Sequence, residues 1–551
     1  MKAGKGNKIG WAILFLFFLL GLFYKWIYLK RAGPLTLGDL YFYQGLAQAF
    51  LDRDWDHFRH FHFYPVYPIL MAMVHRLTGL DLISSARWLN IIFDGLSLIP
   101  IYLIGRSLYG SRAGIFSALF WSLGWPLVRV YGDPEPVYGF FIFIGLVFMF
   151  RHPLRIRNYL TAIALAGFAG LIKSEAMLFV LFFTLMYLVQ GRENFRKKIY
   201  ALGSAALIYL ALTSPLWIRY YQATGRFNPN PKSRTLFFIH NYQGDYQTNL
   251  YGLKEDGYGL YSDAQRIYIE GDIRPIRGSL VSYFYKNRRL FFLSYLDKLE
   301  FALEKDLPFL MLRIFPGSFF LILVYWLRRK RNFELEREAW VWFWGLSVLL
   351  SVSVFDVWER FFYTFFPVLI LLSAKGLDQV MIRAESLSRR FFPESTLPGI
   401  IKWSLAGIFI FWFVIYNLSG VSLARPDPKL KDRFSVKTRL ARDLKLKIDL
   451  DAKIMCRGFP EPIAYFLGLP FWKMVILPLA KEDELLTYAR ESGVKYMFFE
   501  EGDLKRNPYA ERWIYGEMEA GGVKRILYIP RELKDEYYPY SFYELEKDQS
   551  R

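Results

Sequence analysis

Residues 11–29 carry one charge, at Lys25, in an otherwise apolar run. A helix needs about 20 such residues to cross the hydrocarbon layer of a membrane. Comparable runs recur to about residue 420. They are apolar on every side, whereas a soluble helix shows an apolar stripe and a polar face. The chain is 54% hydrophobic, and gathering that content into spanning-length runs makes the membrane its solvent. The first run follows Lys2, Lys5 and Lys8, the order of a secretory signal. It is too long for one and has no small-residue cleavage site, so it is expected to be a retained helix.

Crossings are expected near 10–29, 86–108, 111–131, 136–151, 158–172, 174–190, 198–222, 308–328, 339–355, 361–381 and 399–420, about eleven in all. The pair 158–172 and 174–190 is short and could be one kinked element. The net charge of +20 raises nucleic acid as a partner, but the basic residues lie in short clusters between apolar runs. Arg106/Arg112, Arg151/Arg155/Arg157, Arg192/Arg196/Lys197/Lys198, Arg328/Arg329/Lys330/Arg331 and Arg383/Arg389/Arg390 fall, with the N-terminal lysines, in alternate loops, as the positive-inside bias requires. The other side then holds a loop at 30–85, a turn at 132–135, a long loop at 223–306, a turn at 356–360 and everything after 421. Function is expected there.

Within the first of these loops, residues 64–74 are apolar, too short to cross, and open on Pro65 and Pro68. They read as a helix lying along the interface. After Gly420, strand-like runs at 452–456, 474–477, 495–499 and 525–529 alternate with helical patterns such as 482–490, which implies a small α/β domain. The expected architecture is an α-helical polytopic membrane domain over 1–420 and a soluble α/β domain over 421–551. Cys456 is the single cysteine, so neither an intrachain disulfide nor a Cys-based metal site can form.

Acidic residues near the membrane ends share a side: Asp39, Asp133, Glu135, Glu175, Asp356 and Glu359, with Lys173 and Arg360 among them. Any one could simply end a helix in water, but together they suggest a functional cavity. A Lys and a Glu set between two apolar runs, at Lys173-Ser174-Glu175, need partners or a water-filled pocket. His57, His60, His62 and His75 lie in the first loop and could in principle hold a metal. The first three do not share a helical face, and their aromatic neighbours favour interfacial packing. In the long loop, Tyr242, Tyr246, Tyr251, Tyr258 and Tyr261 could stack on sugars or sit at the interface.

Several segments, in order, resemble the GT-C glycosyltransferases. Gly38-Asp39-Leu40-Tyr41-Phe42-Tyr43, with Asp54-Trp55, looks like the family's first extracytoplasmic loop, and Tyr64-Pro65-Val66-Tyr67-Pro68 like the start of its second surface helix. Residues 106–114 resemble the cytoplasmic hairpin between the second and third crossings. Tyr131-Gly132-Asp133-Pro134-Glu135-Pro136 resembles the second acidic turn. Leu171-Ile172-Lys173-Ser174-Glu175-Ala176 and Glu359-Arg360-Phe361-Phe362-Tyr363 resemble the two later charged segments. Protein O-mannosyltransferases and lipid A aminoarabinose transferases are the most similar in layout.

The resemblance implies an enzyme that moves a sugar from a polyprenyl phosphate to a glycan, lipid or protein acceptor, with inversion, on the non-cytoplasmic side of a plasma or inner membrane. Asp39 is then expected to take the acceptor proton. Asp133 and Glu135 would orient hydroxyls or supply a second acid, and Lys173 and Arg360 would meet the phosphate. Tyr43, Tyr64, Tyr67, Glu175 and Glu359 complete the expected substrate surround. No cofactor or metal is implied, because protein cations can meet a lipid monophosphate. A multi-sugar oligosaccharyltransferase would carry a Trp-Trp-Asp-type motif in its soluble domain, and this sequence has none. A transporter or flippase is the rival from another class, for which inverted repeats and midplane charges are expected. An accessory scaffold would find Asp39 and Arg360 dispensable.

Overall fold

A computed structural model of the chain describes residues 5–32, 38–60, 62–124, 132–151, 153–225, 227, 265, 269–270, 280–308, 317–328, 335–355, 359–393, 395–423, 428–457, 462–478, 480–503, 508–518, 522–530 and 539–546. Its longer helices are α1 (Lys5–Ala32), α2 (Leu40–Leu51), α3 (Val66–Thr78), α4 (Leu82–Tyr109), α5 (Ser111–Leu123), α6 (Glu135–Met149), α7 (Ile156–Gly170), α8 (Ala176–Gln190) and α9 (Phe195–Thr224). They continue as α10 (Leu280–Phe301), α11 (Ser318–Arg328), α12 (Leu335–Phe355), α13 (Phe366–Phe391), α14 (Leu397–Leu423), α15 (Pro428–Lys445) and α16 (Glu482–Glu491). Every stretch read as a crossing contains a helix. Gly10–Arg31, Leu82–Tyr109, Phe195–Gln222 and Leu397–Ser419 are by length and composition long and apolar enough to cross a membrane, and Glu135–Met149, Ala176–Gln190 and Ser318–Leu327 are shorter apolar helices.

The residues divide into two compact units. The first comprises Met1–Ala32, Leu77–Ser233 and Asn287–Arg425. The short pair within it is two helices, α7 and α8, broken across residues 171–175. The run expected over 111–131 is helical to Leu123, and its remainder, 125–131, lies outside the described residues. The tyrosines at 242, 246, 251, 258 and 261, and Asp356, also lie outside them.

The second unit joins Gly33–Arg76 and Arg234–Lys286 to Pro426–Arg551. Its sheet has strands β1 (Lys453–Cys456), β2 (Met474–Ile476), β3 (Val494–Glu500), β4 (Val523–Ile529) and β5 (Tyr540–Leu545), in the order β2-β1-β3-β5-β4. β1 pairs in parallel with β2 and β3, while β5 inserts antiparallel between β3 and β4. The fifth strand was not expected from the sequence. Tyr540, Ser541, Phe542 and Tyr543 are all buried, so its segment lacks the polar and apolar alternation that marks a half-exposed strand. Its Tyr543 meets Trp513 edge-on at 5.0 Å, and Trp513 stacks on Phe499 at 5.2 Å. The unit has a core of its own.

At the end of β3, Glu500 is paired with Lys437 at 2.8 Å and Arg457 at 3.3 Å, while its backbone N–H donates to Asp503 Oδ2 at 2.9 Å. Burial, and then the neighbouring Glu500 charge, push the Asp503 carboxyl up to about 7. An unfolded Asp titrates near about 4, so from about pH 4 to about 7 the folded chain holds a proton that the unfolded chain releases. Stability from Asp503 is therefore full below about pH 4 and is lost as pH rises through about 7. The unfolding midpoint of this unit in the intact chain is expected to fall between pH 5 and pH 8, and Asp503→Asn is expected to flatten that fall. A slope unchanged in the variant would assign the pH dependence elsewhere.

Candidate functional site

In the first unit, two helix N-termini and the break between α7 and α8 bring three of the expected residues together. Pro134 and Pro136 set the start of α6, where a missing N–H costs nothing. Glu135 occupies its first turn, and Glu175 is the N-cap of α8, so both carboxylates stand where the helix dipole favours negative charge. Lys173, from the break, reaches Glu135 at 2.7 Å and Glu175 at 3.0 Å. Ser174 donates its hydroxyl to Glu175 Oε2 at 2.9 Å. Glu135 and Lys173 are buried, and Glu175 remains 31% exposed on its side chain. The trio carries two negative charges against one positive. Asp133, half-buried in the turn before α6, accepts at its backbone carbonyl from Asn90 Nδ2 at 2.6 Å.

The cluster extends to the segment that carries Arg360. Glu359 and Arg360 open the 3-10 helix Glu359–Thr364. Lys173 Nζ lies 4.6 Å from the centre of the Phe361 ring, within cation–π range. Tyr138 on α6 hydrogen-bonds the Thr364 side chain. Tyr363 packs against Gly139 so closely that a Cβ there would lie 2.4 Å from its ring, so only glycine fits. Beyond Gly139, the Tyr363 hydroxyl donates to Asp94 Oδ1 at 2.8 Å.

Asp94 in turn is the centre of a set that the sequence reading did not assemble. Lys25 of α1 pairs with Asp94 of α4 at 2.7 Å, both fully buried, and Lys25 also donates to the Ser122 carbonyl at 3.2 Å. Trp121 Nε1 donates to the Asp94 carbonyl at 2.9 Å. The signal was present: one basic and one acidic residue, each inside a spanning-length apolar run, must find partners within the protein. Because they pair with each other and with Tyr363, they read as a structural joint that sets the backbone beside Arg360 rather than as a solute path.

In the second unit, Asp39 is the N-cap of α2 and half-buried, and its backbone carbonyl accepts from the N–H groups of Phe42 and Tyr43, both at 3.1 Å. Tyr43, Tyr64 and Tyr67 are buried: Tyr43 meets Tyr67 and Phe63 edge-on, each at 5.1 Å. The segment 64–74, expected as a helix, is helical within α3. His60 is buried and accepts at Nδ1 from the N–H groups of His62 and Phe63, both at 3.2 Å. Among the described residues, no group of three or more His, Cys, Asp or Glu could hold a metal.

Residues 63–218, which include Glu135, Lys173 and Glu175, match the model of the dolichyl-phosphate-mannose-protein mannosyltransferase family. Over nearly the whole chain the fold is similar to ArnT from Cupriavidus metallidurans, solved bound to undecaprenyl phosphate, at 14% identity and TM-score 0.55, covering 98% of each chain. It is also similar to the oligosaccharyltransferase AglB from Archaeoglobus fulgidus, solved with an inhibitory peptide and a dolichol-phosphate, at 13% identity and TM-score 0.56, covering 91% of this chain and 70% of that one. No curated protein matches the sequence. The chain has the GT-C fold, as the motifs in its sequence implied, and its apolar helices make it an integral membrane protein.

Removing one member of a buried ion pair strands the other charge, at a cost of about 3–5 kcal/mol, whereas losing one hydrogen bond to a charged group costs about 1.5–3 kcal/mol. In thermal unfolding of the purified chain, Lys25→Met is therefore expected to destabilise more than Tyr363→Phe, and Lys25→Met/Asp94→Leu is expected to recover part of the single-variant loss. Equal melting temperatures across the set would show that the joint contributes nothing.

Proposed function

We propose that this protein is a glycosyltransferase that moves one sugar from a polyprenyl phosphate to an acceptor hydroxyl at the non-cytoplasmic face of its membrane, with inversion at the anomeric carbon. The observation that carries this reading is the mannosyltransferase-family match over residues 63–218, which coincides with the Glu135–Lys173–Glu175 cluster. The family's donor, dolichyl-phosphate mannose, makes mannose the first sugar to try.

In the proposed reaction the acceptor oxygen bonds to the anomeric carbon as the bond from that carbon to the phosphate oxygen breaks. The acceptor proton passes to the Asp39 carboxylate, and polyprenyl phosphate leaves with the bonding electron pair. The sugar ring gains positive charge and the departing phosphate gains negative charge, so each needs a complementary partner. Arg360 suits the phosphate, its planar fork matching two oxygens. Lys173 pairs with two carboxylates, and carboxylates suit sugar hydroxyls and the developing cation. Lys173 then holds Glu135 and Glu175 in place, and Asp133 and Glu359 complete the surround.

The test is transfer of radiolabelled mannose from dolichyl-phosphate and undecaprenyl-phosphate donors in membranes that contain the protein. Asp39→Asn is expected to lower the turnover by on the order of 10²–10⁴-fold. Arg360→Gln is expected to weaken use of the donor, and Lys173→Gln to lower turnover. Full turnover by Asp39→Asn would remove that residue from the reaction, and a wild-type protein inert toward every lipid-phosphate sugar would overturn the reading as a whole.

A further inference from the structure

The second unit contains a short stretch, residues 469–476, on which chain from two distant loops converges. Pro470 leads into the 3-10 helix Phe471–Lys473, and β2 follows directly. From the first loop, Tyr41 donates its hydroxyl to the Leu469 carbonyl at 2.7 Å in a buried bond between residues 428 positions apart. The Phe471 ring lies against the backbone of α2 at Gly45, where a Cβ would come within 2.3 Å of it, and meets Phe42 at 5.5 Å and His60 at 5.9 Å. Trp472 stacks on His57 at 4.4 Å and 21°, and Asp54 holds His57 Nδ1 at 2.7 Å.

The second loop reaches the other end of the same stretch. β2 is the edge of the sheet, and an edge strand presents unpaired N–H and C=O groups. The side-chain amide of Gln265 takes the place of a neighbouring strand: its Oε1 accepts from the Ile476 N–H at 2.7 Å, and its Nε2 donates to the Met474 carbonyl at 3.5 Å.

We propose that residues 469–476 are the anchor through which the C-terminal domain fixes α2, and with it Asp39 at the N-cap of that helix, so that Phe471 is a positioning residue for sugar transfer. The catalytic consequence rests on the assignment of Asp39 as base; the anchoring does not. Tyr41 lies two residues from Asp39, and Phe471 seats one turn further along the same helix, so a shift of this stretch moves the carboxylate directly. Misplacing a reacting group by about 1 Å costs on the order of a hundredfold in rate.

Hydrogen exchange and mannose transfer, measured on the full-length protein in nanodiscs, test the proposal. Phe471→Ala is expected to speed amide exchange across Leu40–Leu51 by about tenfold or more while β3 stays protected. Its kcat is expected to fall by on the order of tenfold to a hundredfold, with KM for the lipid donor within about threefold of wild type. Tyr41→Phe, which removes only the hydroxyl, is expected to move both readouts the same way by less. Gly45→Ala is expected to lower kcat, and Gly45→Ala/Phe471→Leu to restore it, because the smaller side chain makes room for the new methyl. Unchanged exchange across α2 in both Phe471→Ala and Tyr41→Phe overturns the anchor. Faster exchange with unchanged kcat overturns Phe471 as a positioning residue. Asp39→Asn, carried in parallel, separates the two ideas: if it keeps full turnover, the base assignment fails, and the exchange data still decide the anchor.

Discussion

A charge inside hydrocarbon has no water to fall back on, and the architecture of the first unit follows from how its charges are met. Lys25 and Asp94, each isolated in a long apolar run, neutralise each other between α1 and α4. Asp94 has a further acceptor site to fill, and Tyr363 fills it. Through that hydroxyl, and through the space Gly139 leaves for the ring, the 3-10 helix that carries Arg360 is fastened to the bundle. The Glu135–Lys173–Glu175 cluster obeys the same rule at the helix ends: Lys173 pairs with two carboxylates that stand where the helix dipoles favour negative charge. The structural joint and the candidate site are thus successive links in one chain of contacts.

The second unit is organised differently. Its sheet has a conventional aromatic core around Trp513, Phe499 and Tyr543, but the edge formed by β2 and the turn before it is where the loops attach. A glycine that admits a ring, a tyrosine hydroxyl on a carbonyl and an amide side chain imitating a strand are three separate ways of holding chain to the same eight residues. The same stretch therefore supports the helix that begins at Asp39, which is what ties this domain to the proposed reaction.

What could be read from the sequence was what depends on local pattern. Apolar runs gave the helices, the position of Lys173-Ser174-Glu175 between two of them signalled a charged break, and prolines marked the starts of α3 and α6. Glu135, Lys173 and Glu175 were grouped with other charged residues on one expected side, and the structure brings these three into contact. Contacts that depend on distant chain meeting were out of reach: no local pattern ties Tyr41 to Leu469, Gly45 to Phe471 or Lys25 to Asp94. Strand β5 escaped for a different reason. Packed between two strands and buried along most of its length, it has no alternation to betray it.

Direct displacement of a sugar from a lipid phosphate, as proposed, fixes the stereochemistry of the product. Carbon-13-labelled polyprenyl-phosphate mannose of known anomeric configuration, incubated with membranes that contain the wild-type protein, is to be followed by NMR of the purified glycoside. The expected product has the opposite configuration at the anomeric carbon and forms with release of one polyprenyl phosphate per sugar. A product that retains the donor's configuration would contradict single displacement, and lipid-phosphate sugar moved across the bilayer with no glycoside formed would make the protein a transporter.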